Sequence, residues 1–135
     1  MEGRLRLLLD THVVVWALSD PGRLAAKARA AIETDANEIF VSVVSPWELA
    51  IKGPREGLHL PDNLEAEVDQ RGFDLLPVLF RHTEPIGSMP YHHRDPFDRM
   101  LVAQAITDGL TIVTADRKLT KYQVALLPAI EEPVS

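Results

Sequence analysis

Two aliphatic runs in this chain end directly in an acid: LRLLLD closes on Asp10 and LTIVTAD closes on Asp116. Runs that stay apolar position after position, without alternation, suit strands buried on both faces, the habit of parallel sheets covered by helices. In open sheets of that kind, ligands gather beyond the carboxyl ends of the strands. Two further acids, Glu48 in SPWELAIK and Asp98 in DPFDRMLVAQA, lie where helices begin. Strand ends and helix starts can thus bring Asp10, Glu48, Asp98 and Asp116 together.

The remaining punctuation fits an alternation of strands and helices. Leu5 to Leu9 reads as a buried strand, and Thr11 as the cap of a short helix through Trp16 and Leu18, stopped by Asp20-Pro21-Gly22. Leu24 to Ile32 is alanine-rich and helical, and Glu38 to Val44 is β-rich. Ser45-Pro46-Trp47-Glu48 has the grammar of an N-cap, a proline at the first helical position and an acid at the third. Gly53 and Pro54 are expected to end or turn that helix, with Gly57 a further break. Residues 62–71 allow a polar helix, Phe73 to Leu76 an extended run, and Val78 to Glu84 another helix. Asp95-Pro96-Phe97-Asp98 repeats the cap grammar before a helix that runs to Gly109; Leu110 to Val113 and Val124 to Leu127 are late strands. The expected architecture is a three-layer α/β/α sandwich around a small, mostly parallel sheet, formed as one domain over residues 1–135.

Composition narrows the function. The chain has 135 residues, 46% of them apolar, enough for a covered sheet, and no apolar stretch approaches the length of a membrane span. The opening MEGRLRLLLD lacks an export-signal cleavage pattern, so a cytoplasmic protein is expected. Cysteine is absent, which excludes disulfides and thiolate metal sites. A formal charge of −6 argues against a broad basic nucleic-acid surface, though not against a small site flanked by Lys52, Arg94, Arg99, Arg117, Lys118 and Lys121. No P-loop, dinucleotide-binding glycine signature or Ser/His/Asp set is present.

Each acid also has an ordinary explanation. Glu48 and Asp98 could close capping boxes, and Asp10 and Asp116 could accept backbone hydrogen bonds in turns. Taken together, four carboxylates within a few ångströms would repel one another unless a hard divalent cation neutralised them. His12 reads as a turn or helix-face residue, His92 and His93 either as residues bordering the groove or as ordinary polar loop residues, and Trp16, Trp47 and Phe97 as core or subunit packing.

In their order, LLLDTHVVVWAL, SVVSPWELAIK, HHRDPFDRMLVAQA and LTIVTADRKL resemble the four acidic blocks of PIN-domain ribonucleases. They look closest to the VapC-like toxins of toxin–antitoxin pairs. The resemblance runs from Leu7 to about Tyr122. It implies Asp10, Glu48, Asp98 and Asp116 as the metal-binding and catalytic acids, and Thr114 as a polar residue that organises the last of them. Asp95 is read as an N-cap that also supports the site, with Lys52, one turn after Glu48, and Arg99 as further supporting residues. The resemblance implies Mg²⁺, with Mn²⁺ as a substitute, hydrolysis of RNA to leave a 5′-phosphate and a 3′-hydroxyl, a homodimer, and a cognate antitoxin, of the Phd/YefM kind by the look of the DPFDR and SPWELAIK blocks. The competing readings are a PIN-type RNA-processing nuclease without a toxin role and a nonenzymatic interaction module whose acids only cap helices.

Overall fold

A computed structural model describes residues 4–59 and 61–131; the expected domain limits, 1–135, reach beyond them. Five strands form a single parallel sheet in the order β3-β2-β1-β4-β5. They are β1 (Arg6–Leu9), β2 (Glu38–Ser42), β3 (Asp74–Leu76), β4 (Thr111–Thr114) and β5 (Leu126–Pro128). Helices α1 (Thr11–Ser19), α2 (Ala26–Glu33), α3 (Val44–Glu56), α4 (Leu64–Gln70), α5 (Phe80–Thr83) and α6 (Pro96–Asp108) connect them.

The aliphatic run of β1 explains the layering. Leu7 and Leu9 point into one core with Val13, Val14 and Ala17 of α1 and Ala28 and Ile32 of α2. Leu8 points into the other with Leu101, Val102 and Ala105 of α6. The same alternation puts Val113 and Ile112 of β4 on opposite sides. Leu7–Leu9 of β1 and Ile112–Val113 of β4 therefore bury apolar side chains on both faces of the sheet, and the expected three-layer sandwich follows. Register places Leu9 of β1 beside Val113 of β4, so Asp10 leaves the sheet next to the end of β4. No helix among the described residues is long and apolar enough to cross a membrane.

Several local expectations need correction. Asp10, not Thr11, is the N-cap of α1, its carboxylate accepting from the Thr11 amide. Helix α3 begins at Val44, before the predicted cap at Ser45, because the Ser42 hydroxyl already accepts from the Val44 amide at 3.0 Å. The same helix runs through Gly53 and Pro54 and ends at Gly57, whose φ of 69° lies in the left-handed region glycine tolerates. Gly53 is present for space: a Cβ there would lie 2.6 Å from the Leu58 carbonyl oxygen. The helix expected from Val78 is shorter, covering Phe80–Thr83 before a 3₁₀ turn over Glu84–Ser88.

Candidate active site

The four sequence-predicted acids line one groove of about 360 Å³ at the carboxyl edge of the sheet, together with Lys52 and Asp95. Asp10, carried by β1, is 6% exposed. Its two oxygens are held separately: one accepts from the Thr11 amide at 2.7 Å, the other from the Thr114 hydroxyl at 2.6 Å. Burial raises its pKa; those hydrogen bonds oppose the rise and the charge of Glu48 adds to it. Thr114, at the end of β4, accepts from the Asp116 amide at 3.0 Å with the same hydroxyl oxygen. One threonine thus fixes the first acid and the last, a wider role than its expected service to Asp116 alone.

Glu48 enters from α3 and is 8% exposed. It closes no capping box. Its carboxylate accepts from the Thr11 hydroxyl at 2.7 Å and from Lys52 Nζ, one turn along, at 3.3 Å. Lys52 also pairs with Asp95, and these two carboxylates raise its pKa against the opposing effect of burial. Asp95 is an N-cap, accepting from the Phe97 amide at 2.8 Å and the Asp98 amide at 3.2 Å. Burial works to raise its pKa, but Lys52 and the cap amides outweigh burial and lower it.

Asp98 projects from the first turn of α6 into the centre of this group. Burial first, and then the charges of Asp10, Asp95, Glu48 and Asp116, push its pKa up to about 8. Its oxygen lies 2.8 Å from His93 Nε2, which is also 3.1 Å from Asp116 Oδ2. Ligand-capable atoms of Glu48, Asp95 and Asp98 lie within 4.8 Å of one another, as do those of His93, Asp98 and Asp116, so Asp98 belongs to both groups. Hard carboxylate oxygens at this spacing, with one acid unable to ionise normally, fit a divalent cation of the Mg²⁺ or Mn²⁺ type.

Other residues fall elsewhere. Arg99, expected near the site, is buried, with its guanidinium donating to the carbonyls of Pro90, Ile86 and Met89. That geometry ties the loop before α6 to the helix and turns the charge away from the groove. Trp16 lines the groove, with Arg23 over its ring at 5.0 Å, whereas Trp47, expected to pack in the core or between subunits, is 57% exposed. Phe97 is buried as expected. His93 does border the groove, one of the two readings its loop allows, but nothing local links it to Asp116, twenty-three residues on. Thr11 and Ser45, whose hydroxyls lie 3.1 Å apart behind Glu48, were likewise read only as caps.

Residues 7–125 match the PIN domain family. The chain is 31% identical over 128 residues to Ribonuclease VapC22 of Mycobacterium tuberculosis, covering 87% of this chain and 92% of that protein. Its fold is similar to chains in two DNA-bound complexes: VapBC2 from Rickettsia felis, with a promoter fragment, and VapBC from Salmonella typhimurium. Both give a TM-score of 0.64, at 15% and 17% identity, covering 91% of this chain and 98% and 97% of theirs. FitAcB from Neisseria gonorrhoeae is similar at TM-score 0.55 and 19% identity, covering 90% and 96%.

Proposed function

We propose, from the premise that this chain belongs to the PIN-domain family and is closely related to its VapC-type toxins, that it is a divalent-cation-dependent endoribonuclease toxin. The observation that carries this reading is the meeting of Asp10, Glu48, Asp98 and Asp116 on one groove, with Asp98 pushed up to about 8. We assign those four acids to cation binding and catalysis, and residues 1–135 to a single nuclease domain. Mg²⁺, or Mn²⁺ in its place, supplies polarisation of the phosphate and a lower pKa for the attacking water when bound.

The chain's own residues set the stage for that chemistry. Thr11 and Thr114 fix both oxygens of Asp10, so the most buried carboxylate needs no reorganisation. Lys52 screens Glu48 from Asp95 and holds both at the groove wall. Exposed Arg94 and Lys118 flank the acids on the chain and offer phosphate contacts outside the anionic centre. The products are a 5′-phosphate and a 3′-hydroxyl. A cognate antitoxin, of the Phd/YefM kind, covers the groove, and the toxin works as a cytoplasmic homodimer. The VapBC complexes of the similar folds support an antitoxin of some kind.

The test is cleavage of end-labelled RNA by purified protein, wild type against Asp10→Asn, in Mg²⁺, in Mn²⁺ and with chelator. Cleavage is expected only for the wild type with a cation. Activity that survives both chelation and Asp10→Asn would overturn the assignment. Growth arrest on expression, relieved by a neighbouring antitoxin gene, separates a toxin from an RNA-processing nuclease.

A further inference from the structure

His93 lies in the loop before α6, and its backbone amide and both ring nitrogens have partners. Its backbone amide donates to the Tyr122 hydroxyl at 3.0 Å, and Tyr122 is buried. Its Nδ1 accepts from the Asp95 amide at 3.2 Å. Its Nε2 hydrogen-bonds Asp116 Oδ2 at 3.1 Å and lies 2.8 Å from Asp98 Oδ2.

These partners determine where the imidazole proton sits. An amide N–H pointing at Nδ1 requires a lone pair there, so a neutral ring carries its hydrogen on Nε2. A ring that gave its Nε2 lone pair to a cation would need the hydrogen on Nδ1, directly against the Asp95 N–H. The spacing alone would allow His93 into a ligand set with Asp98 and Asp116; the tautomer forbids it. We propose that His93 is a positioning residue that holds Asp116 beside Asp98 through its Nε2–H and stays outside the ligand set of the cation.

This role completes a closed circuit around the groove. Asp10 is tied through Thr11 to Glu48, Glu48 through Lys52 to Asp95, and the Asp95 amide to His93. From His93 the path passes to Asp116, whose amide reaches Thr114 and so returns to Asp10. His93 is the member through which the loop before α6 and the turn after β4 meet.

The inference rests on the cation reading above, and the experiment separates the two. Long-range ¹H–¹⁵N spectra of labelled protein, with His93 assigned by its loss in His93→Ala, report the ring tautomer with and without Mg²⁺. The expected result is an Nε2–H ring in both states while Mg²⁺ shifts the Asp10 and Glu48 amide signals. A ring that moves its proton to Nδ1 on Mg²⁺ addition overturns the proposal alone. Absence of any Mg²⁺ response at Asp10 and Glu48 overturns the cation reading instead, and an Nδ1–H ring in the metal-free protein overturns the positioning role. In calorimetric Mn²⁺ titrations His93→Ala should weaken binding about 10-fold. His93→Gln, whose side-chain amide can donate from the Nε2 position, should recover most of that loss. Equal weakening in both variants, with unchanged melting temperatures, would count against donation as the role.

Discussion

Helices α3 and α6 open with the same words and different physics. Ser45-Pro46-Trp47-Glu48 and Asp95-Pro96-Phe97-Asp98 each offer a cap, a proline, an aromatic and an acid. In α6 the grammar holds: Asp95 caps, Pro96 opens the helix and Asp98 lies in its first turn. In α3 it fails: the helix already begins at Val44, whose amide donates to the Ser42 hydroxyl, Val43 holds the cap position, and Ser45 is buried inside the helix. Pro46 is tolerated because amides of the first turn need no helical partner. The aromatics divide too: Phe97 is 6% exposed against Trp47 at 57%, though their rings meet edge-on at 4.7 Å. A capping motif therefore predicts that a helix starts nearby, while the tertiary neighbour of a single serine decides where.

The largest expected effect tests whether the two helices, so differently begun, contribute alike to chemistry. Glu48→Gln and Asp98→Asn should each reduce RNA cleavage by about 100-fold or more at saturating Mg²⁺. If either variant kept cleavage within about twofold of wild type, its helix would drop out of the site. Stability variants sharpen the comparison next. Ser42→Ala removes the hydroxyl that accepts from the Val44 amide at the start of α3 and also a 2.7 Å bond to the buried Gln104, and should cost about 2 kcal/mol in urea unfolding. Ser45→Ala should cost only about 0.5 kcal/mol, since Thr11 still donates to Glu48. The reverse order would move the start of α3 back to Ser45.

The two ends of α6 extend the comparison to charge. A helix dipole favours an acid at the amino end and disfavours one at the carboxyl end, by about 0.3–1 kcal/mol. The structure inverts this: Asp98 at the amino end rises to about 8, and Asp108 at the carboxyl end falls to about 2. Neighbours decide both, burial and four carboxylates for Asp98, and for Asp108 chiefly the hydrogen bond from Arg81, with His82 adding to it. For Asp98 the native state holds its proton more tightly than the unfolded chain. Metal-free protein should therefore lose stability as pH rises from about 4 to about 8, and Asp98→Asn or added Mg²⁺ should flatten that slope. A melting temperature of the chelated protein independent of pH across that window would contradict it.

The smallest effect belongs to Asp108. Its depressed pKa stabilises the fold above about pH 4 and ceases to do so as pH falls toward 2, so Asp108→Asn should soften the acid limb of the stability curve. An acid limb unchanged by that substitution would remove the ion pair from the account.

What could be read from the chain followed how locally each feature was encoded. Leu7, Leu8 and Leu9 announce a two-faced strand by themselves, and Asp10 and Asp116 follow their strands within two residues. The parallel sandwich and the convergence of the acids were legible for that reason. The start of α3 was not, because Ser42 is fixed by Gln104 from α6. Nor was its passage through Gly53-Pro54, where the absence of a Cβ at Gly53 admits the Leu58 carbonyl. Arg99 sits beside Asp98 in sequence yet faces the other side of the helix, and His93 gained its place only when β4 and α6 came together.

The pairing of β1 with β4 joins residues about a hundred positions apart. A ribosome that has stopped before Thr111 has made Asp10 and Glu48, but neither the strand that lies against Leu9 nor the hydroxyl that grips Asp10. An unfinished copy of this protein thus carries its first acid without the neighbours that hold it, and the groove takes its shape only once nearly the whole chain has been made.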